Sequence, residues 1–198
     1  MRILGVVDTG SIEGKQSKKV LEVYNRLSKG AVFLPPAVGL ILDREKRTPE
    51  QVKELTELAE TSGLNLSFLP RKMYENYLLH PRAIAELINQ LDTERSSRVT
   101  AEKVKEWFTE NSWDRRFIRH IPEKNRNDEL WFKEVHGAKL LNNVFNDLTE
   151  TRVSYDGRKV MYGIELTKWL IKNEPEELNG IGKFLCDVLD AAKRPNDV

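Results

Sequence analysis

The chain has 198 residues, enough to build a domain with a real core and no covalent staples. Its 32 basic and 31 acidic residues leave a net charge of +1, so attraction to an anionic polymer must come from local clusters. A single cysteine, Cys186, excludes an intrachain disulfide framework. Neither a positively flanked apolar leader nor a run of about 18 apolar residues occurs, which predicts a soluble, cytoplasmic protein with no membrane partner.

The first third reads as alternating strands and helices. "RILGVV" (2 to 7) is a β-rich apolar run, and "KKVLEVYNRL" (18 to 27) sets Val20, Leu21, Tyr24 and Leu27 on one helical face. "AVFL" (31 to 34) and "VGLILD" (38 to 43) are again strand-like. A capped helix follows: Thr48 as N-cap, Pro49 in the first helical position, Glu50 and Gln51 in the first turn, a stripe of Val52, Leu55 and Leu58, and Gly63 as the stop. "LNLSFL" (64 to 69) alternates as a strand and ends at Pro70. A strand, a helix and a strand within about 30 residues is the unit of a parallel sheet.

After "HPRAIAELINQL" the chain turns polar from Asp92 to Arg98, and helical patterns dominate beyond it. Thr100 caps "AEKVKEWF", residues 138 to 148 carry Leu141, Val144, Phe145 and Leu148 on one face, and "GIELTKWLIKN" and "GIGKFLCDVLDAAK" complete the series. Residues 111 to 134 are aromatic and charged without a clean period and stay unassigned. The expected architecture is α/β: a small, mostly parallel sheet with flanking helices over 1 to 92, and a mainly helical extension over 93 to 198.

"SIEGKQSKKVL" (11 to 21) has the look of a phosphate-cradling loop, but Thr9 stands where that motif needs glycine and Gln16 where it needs a hydroxyl. The acidic residues at the strand ends are more informative, because ligands of parallel sheets gather at the carboxyl ends of the strands. Asp43 and Glu45 leave the strand "VGLIL" with the i, i+2 spacing that projects both carboxylates the same way. Glu13 precedes a helix, and Glu75 follows the strand "LNLSFL". Oxygen ligands of this kind suit a hard divalent cation and Mg²⁺-assisted phosphodiester chemistry; a solvated turn is the plain alternative.

Arg44, Lys46 and Arg47 surround the acidic pair, and Arg71 and Lys72 follow the next strand, so the same rim has cations for phosphates or for a solvated turn. "WDRRFIRH" (113 to 120) interleaves Trp113 and Phe117 with arginines, a combination that serves single strands or the core face of a helix. His80, before Pro81, reads as an N-cap or turn residue, and His120 and His136 lack zinc-type partners. Tyr77, Leu78 and Leu79 read as the packing that fixes Glu75, and Trp131, Trp169 and Phe184 as core.

The blocks "IEGKQSKKVLEVYNRL", "GLILDREKRT", "FLPRKMYENYLL" and "GRKVMYGIELTKWLI" resemble successive landmarks of the TOPRIM domain in OLD-family nucleases and related ATPase-associated proteins, over about residues 10 to 175. The resemblance implies a DNA nuclease that uses Mg²⁺ or Mn²⁺, with a phage-defence setting. Glu13 would be the metal-binding or acid-base carboxylate, Asp43 and Glu45 the metal-holding pair, Glu75 a later acid near the metals, and Lys159 the cation on the scissile phosphate. It also implies an ABC-type ATPase, here separately encoded, and leaves homodimerisation open. Asp8, which directly ends the first apolar run, is the reserve candidate for the first acid.

The chain departs from the pattern at Ser17, where the family commonly has an acid, and at Glu45, where it has a second Asp. Only "PPA" separates "AVFL" from "VGLILD", too short for a parallel crossover. Those departures carry the alternative expectation of a catalytically inactive binding or regulatory subunit of a defence-type complex.

Overall fold

The computed structural model describes residues 39–45, 47–61, 65–119 and 121–193. The expected elements at 2–7, 18–27 and 31–34 lie outside those residues, as do Asp8, Glu13, Ser17, Lys46, Gly63 and His120. The described chain is mostly helical with a two-stranded parallel sheet. It forms two compact units, the first containing the described residues up to Leu42, Lys46–Phe68 and Phe184 onward, the second Asp43–Glu45 and Leu69–Lys183.

In the first unit, β1 (Gly39–Leu42) pairs in parallel with β2 (Asn65–Phe68), Leu40 beside Leu66 and Leu42 beside Phe68. The crossover between them holds α1 (Pro49–Thr61), as the capping signals predict. Thr48 and Gln51 bond reciprocally: the Gln51 N–H donates to Thr48 Oγ1 at 3.3 Å and the Thr48 N–H to Gln51 Oε1 at 2.8 Å. Two orphan donors of the helix start are thereby satisfied, and Pro49 has no N–H to satisfy. Ala59 is fully buried, packed by half-buried Leu40, Leu58 and Leu66.

The second unit is built from α2 (Pro81–Leu91), α3 (Ala101–Asn111), α4 (Asp128–Glu134), α5 (Gly137–Leu148), α6 (Lys159–Asn173) and the first turn of α7 (Asn179–Lys193). Their apolar stripes close over one core that includes Ile84, Ile88, Val104, Leu140, Leu141, Phe145, Leu166 and Leu170. Polar caps hold the starts of α2, α3 and α4: His80 Nδ1 accepts from Ala83 and Thr100 Oγ1 from Lys103, both read locally from sequence, and Asn127 Oδ1 accepts from Leu130.

The polar stretch 92 to 98, where a domain division is expected, falls inside this unit, and α2 packs on α3 across it. The Asn89 side chain bonds both the N–H and the C=O of Val99 at 2.8 Å, and buried Asp92 takes two bonds from Arg152. Polarity here marks a stitched turn rather than a linker. The unassigned stretch 111 to 134 supplies core side chains without a long helix: Phe117, Ile118 and Trp131 are buried, and Trp113 packs against them under Arg126. Among the described residues no helix is long and apolar enough to cross a membrane.

Candidate functional site

The chain from Asp43 to Glu45 is held in the second unit by its backbone. The Arg44 N–H donates to the Lys72 carbonyl and the Lys72 N–H to the Lys133 carbonyl, both at 2.9 Å. This ladder sets Asp43 beside the 3-10 turn Tyr74–Tyr77, whose second residue is Glu75. Buried Tyr77, Leu78 and Leu79 anchor that turn, as the sequence predicts. Gly137, the first residue of α5, lies against it so closely that an added Cβ would stand 2.8 Å from the Asn76 nitrogen and 2.9 Å from the Glu75 carbonyl carbon. Only glycine fits there. Fully buried Asn76 locks the contact, donating to the carbonyls of Phe132 and Val135 at 2.9 Å and accepting from the Gly137 N–H at 3.1 Å.

Glu75 is 6% exposed, and Lys159, at the start of α6, reaches it with Nζ at 2.8 Å. Burial pulls the Lys159 ammonium toward neutrality, but the bond to Glu75 and the charges of Glu75, Glu45 and Asp43 outweigh it and raise its pKa. Lys159 is therefore a cation at neutral pH. Asp43 goes the other way: burial first and the Glu75 charge second push its carboxyl up to about 6, against a backbone hydrogen bond from Tyr74 and the Lys159 charge. The four expected residues Asp43, Glu45, Glu75 and Lys159 thus share one electrostatic neighbourhood, in which a single lysine faces three carboxyls.

Glu45 has its own partner, His136 Nε2 at 3.1 Å. His136 is the N-cap of α5, its Nδ1 accepting from the Lys139 N–H at 3.4 Å, so the proton sits on Nε2 and points at Glu45. Burial, with Lys139 and Lys72 nearby, lowers the imidazole pKa below its ordinary value despite Glu45. Beneath Glu75, the hydroxyl of fully buried Tyr155 has no hydrogen-bond partner and lies by the backbone of Gly163. Burial first, then the Glu75 charge, pushes that phenol upward.

The expected phosphate-binding cations are largely turned inward. Arg44 gives Nε to the Leu69 carbonyl at 3.1 Å and a terminal nitrogen to the Pro70 carbonyl at 2.7 Å, with Glu134 3.6 Å away. Arg71 donates to the Asn76 carbonyl at 2.6 Å and stacks between Tyr77 and Phe132, while Lys72 leans on the Glu134 carbonyl at 3.4 Å. In the first unit, Arg47 lies over the Phe68 ring. Two exposed cations, Arg119 and Lys139, have charges that reach Lys72. Arg119 belongs to the "WDRRFIRH" stretch weighed for single strands, whereas Lys139, Asn76, Gly137 and Tyr155 were not selected from sequence and His136 was set aside as a metal ligand. The available signal was local: a histidine before glycine and an apolar helix at 136 to 141 has the form of an N-cap, as His80 does before Pro81.

Oxygen donors such as Asp43 and Glu75 fit a hard divalent cation in chemistry. Among the described residues, however, no group of three or more His, Cys, Asp or Glu side chains is placed to hold a metal ion. Fold and site together define a largely helical α/β protein with a buried carboxylate and lysine cluster. No protein-family model matches the chain, and no curated protein or solved structure matches it either.

Proposed function

We propose that this protein is a cytoplasmic, Mg²⁺- or Mn²⁺-dependent nuclease module of the TOPRIM type, acting on DNA phosphodiesters and working with a separately encoded ABC-type ATPase in phage defence. The observation that carries the reading is the gathering of Asp43, Glu75 and Lys159, from three separate stretches of sequence, in one partly buried place. Asp43 and Glu75 would hold the cation, with Glu45 beside them and Glu13, outside the described residues, as the further acid the resemblance implies. The metal, when bound, supplies charge for an activated water and for the attacking and leaving oxygens.

The chain's own residues supply the rest. Lys159 is charged at neutral pH and, released from Glu75 as the carboxylate turns to the cation, would bind a non-bridging phosphate oxygen. His136 holds Glu45 by a neutral hydrogen bond. Arg119 and Lys139 would carry the flanking phosphates, in place of Arg44 and Arg71.

A second reading, an inactive binding or regulatory subunit, is favoured by one observation. Glu75 and Glu45 already have protein partners at 2.8 and 3.1 Å. Nicking of supercoiled plasmid by the purified chain in Mg²⁺ or Mn²⁺ separates the two. The nuclease reading expects metal-dependent nicking that falls by about 100-fold or more in Asp43→Ala and Lys159→Ala. No nicking by the folded wild-type chain, in either metal, supports the subunit instead.

A further inference from the structure

Helix α6 has two apolar faces, and only one is covered. Tyr162, Leu166 and Leu170 are 7%, 1% and 0% exposed and belong to the core. On the opposite side Val160, Met161, Ile164 and Ile171 are 56%, 49%, 48% and 61% exposed. At 100° per residue Val160, Ile164 and Ile171 fall within about 40° of one another, and Met161 lies about 60° further round. Single exposed apolar residues are ordinary; a stripe along one helix marks an interaction surface.

We propose that this stripe is a homodimer interface, in which α6 packs antiparallel against α6 of a second copy of the chain. The stripe is self-complementary about a point midway between Glu165 and Leu166. Antiparallel pairing there sets Val160 opposite Ile171 of the second copy, and Ile164 opposite its Thr167, as a two-fold axis requires. The charges agree. Glu165 and Lys168, 2.8 Å apart within one helix, lie on the flank next to Met161. In an antiparallel pair that flank meets its own copy reversed, so each Glu165 faces the second copy's Lys168. A parallel pair would put the two copies of that flank on opposite sides of the seam, and neither Glu165 nor Lys168 would gain a partner of opposite sign from the other. One helix of about 22 Å against its copy makes an interface below the roughly 1,200 Å² of standard complexes, so the dimer is reversible and depends on concentration.

Sedimentation of the full chain from about 1 µM to several hundred µM tests this. The weight-average mass should rise toward twice the monomer and stop there. Ile164→Lys should lower the association constant at least tenfold with no change in melting temperature, because the side chain is exposed in the monomer. Glu165→Lys alone should weaken association severalfold, and Glu165→Lys with Lys168→Glu should restore it. A wild-type chain monomeric throughout overturns the proposal, as does growth past the dimer or a dimer indifferent to Ile164→Lys. A large loss of melting temperature in Ile164→Lys also overturns it, since the stripe would then be covered by residues of the same chain.

Discussion

Around Ala59, the described part of the β1, α1 and β2 unit buries one small side chain fully and leans on half-buried Leu40, Leu58 and Leu66. The helical unit instead closes completely over Leu140, Leu141, Phe145, Leu166 and Leu170. Burial of apolar area is the main favourable term in folding, so side chains of one type differ in value between these regions. The candidate site rides on the helical unit. Asp43 follows β1 directly in the chain, yet it is held by Lys72, Tyr74 and their neighbours.

The strongest way to break that comparison is a matched pair of truncations. Leu140→Ala should cost about 3 to 5 kcal/mol, as cavities in closed cores do, and Leu66→Ala about 1 kcal/mol, both read by urea denaturation. Equal costs would abolish the distinction. Next come the ties at the site. Asn76→Ala leaves the Gly137 N–H and the Phe132 and Val135 carbonyls without their partner and should cost about 2 to 3 kcal/mol. Gly137→Ala should cost about 1 to 3 kcal/mol by overpacking, and should also shift the NMR signals of the Glu75 turn, because the atoms it meets are backbone.

Asp43 gives the pH dependence. Its folded pKa of about 6 lies above the ordinary 3.8, so the folded state binds the proton more tightly than the unfolded chain. Stability from this group is complete below about pH 4 and is lost as pH rises through 6. In chelator-treated protein, Asp43→Asn should raise stability at pH 8 by about 1 to 2 kcal/mol, allowing for solvent screening of a partly exposed group, and leave it unchanged at pH 4. No difference between the two pH values would remove the account of Asp43 as a carboxyl whose pKa is raised by burial and, second, by the Glu75 charge. The smallest effect is local: Thr48→Ala should cost about 1 kcal/mol and speed hydrogen exchange in the first turn of α1, with no change at the α5 core amides.

Much of this architecture was legible because its signals are short-range. Thr48, Pro49 and Gln51 announce α1 within four residues, and the apolar run at 38 to 43 and the alternation at 64 to 69 announce the strands. The caps at His80 and Thr100, with the 3.6-residue period after them, announce α2 and α3. Residues 111 to 134 gave no such signal, because Phe117 and Trp131 reach the core from turns and from a helix of two turns. The polar run at 92 to 98 misleads as a linker because Asp92 is satisfied by Arg152, which lies far along the chain.

The residue pattern alone determined that acids follow the strands and that "GIELTKWLIKN" forms a late helix. Only the tertiary structure decided that Lys159 meets Glu75, that His136 takes Glu45, that Arg44 and Arg71 bond the chain's own carbonyls, and which face of α6 stays open. The reason is physical. Caps and periods are set by hydrogen bonds within one turn, whereas pKa, charge pairing and exposure depend on what distant segments bring alongside.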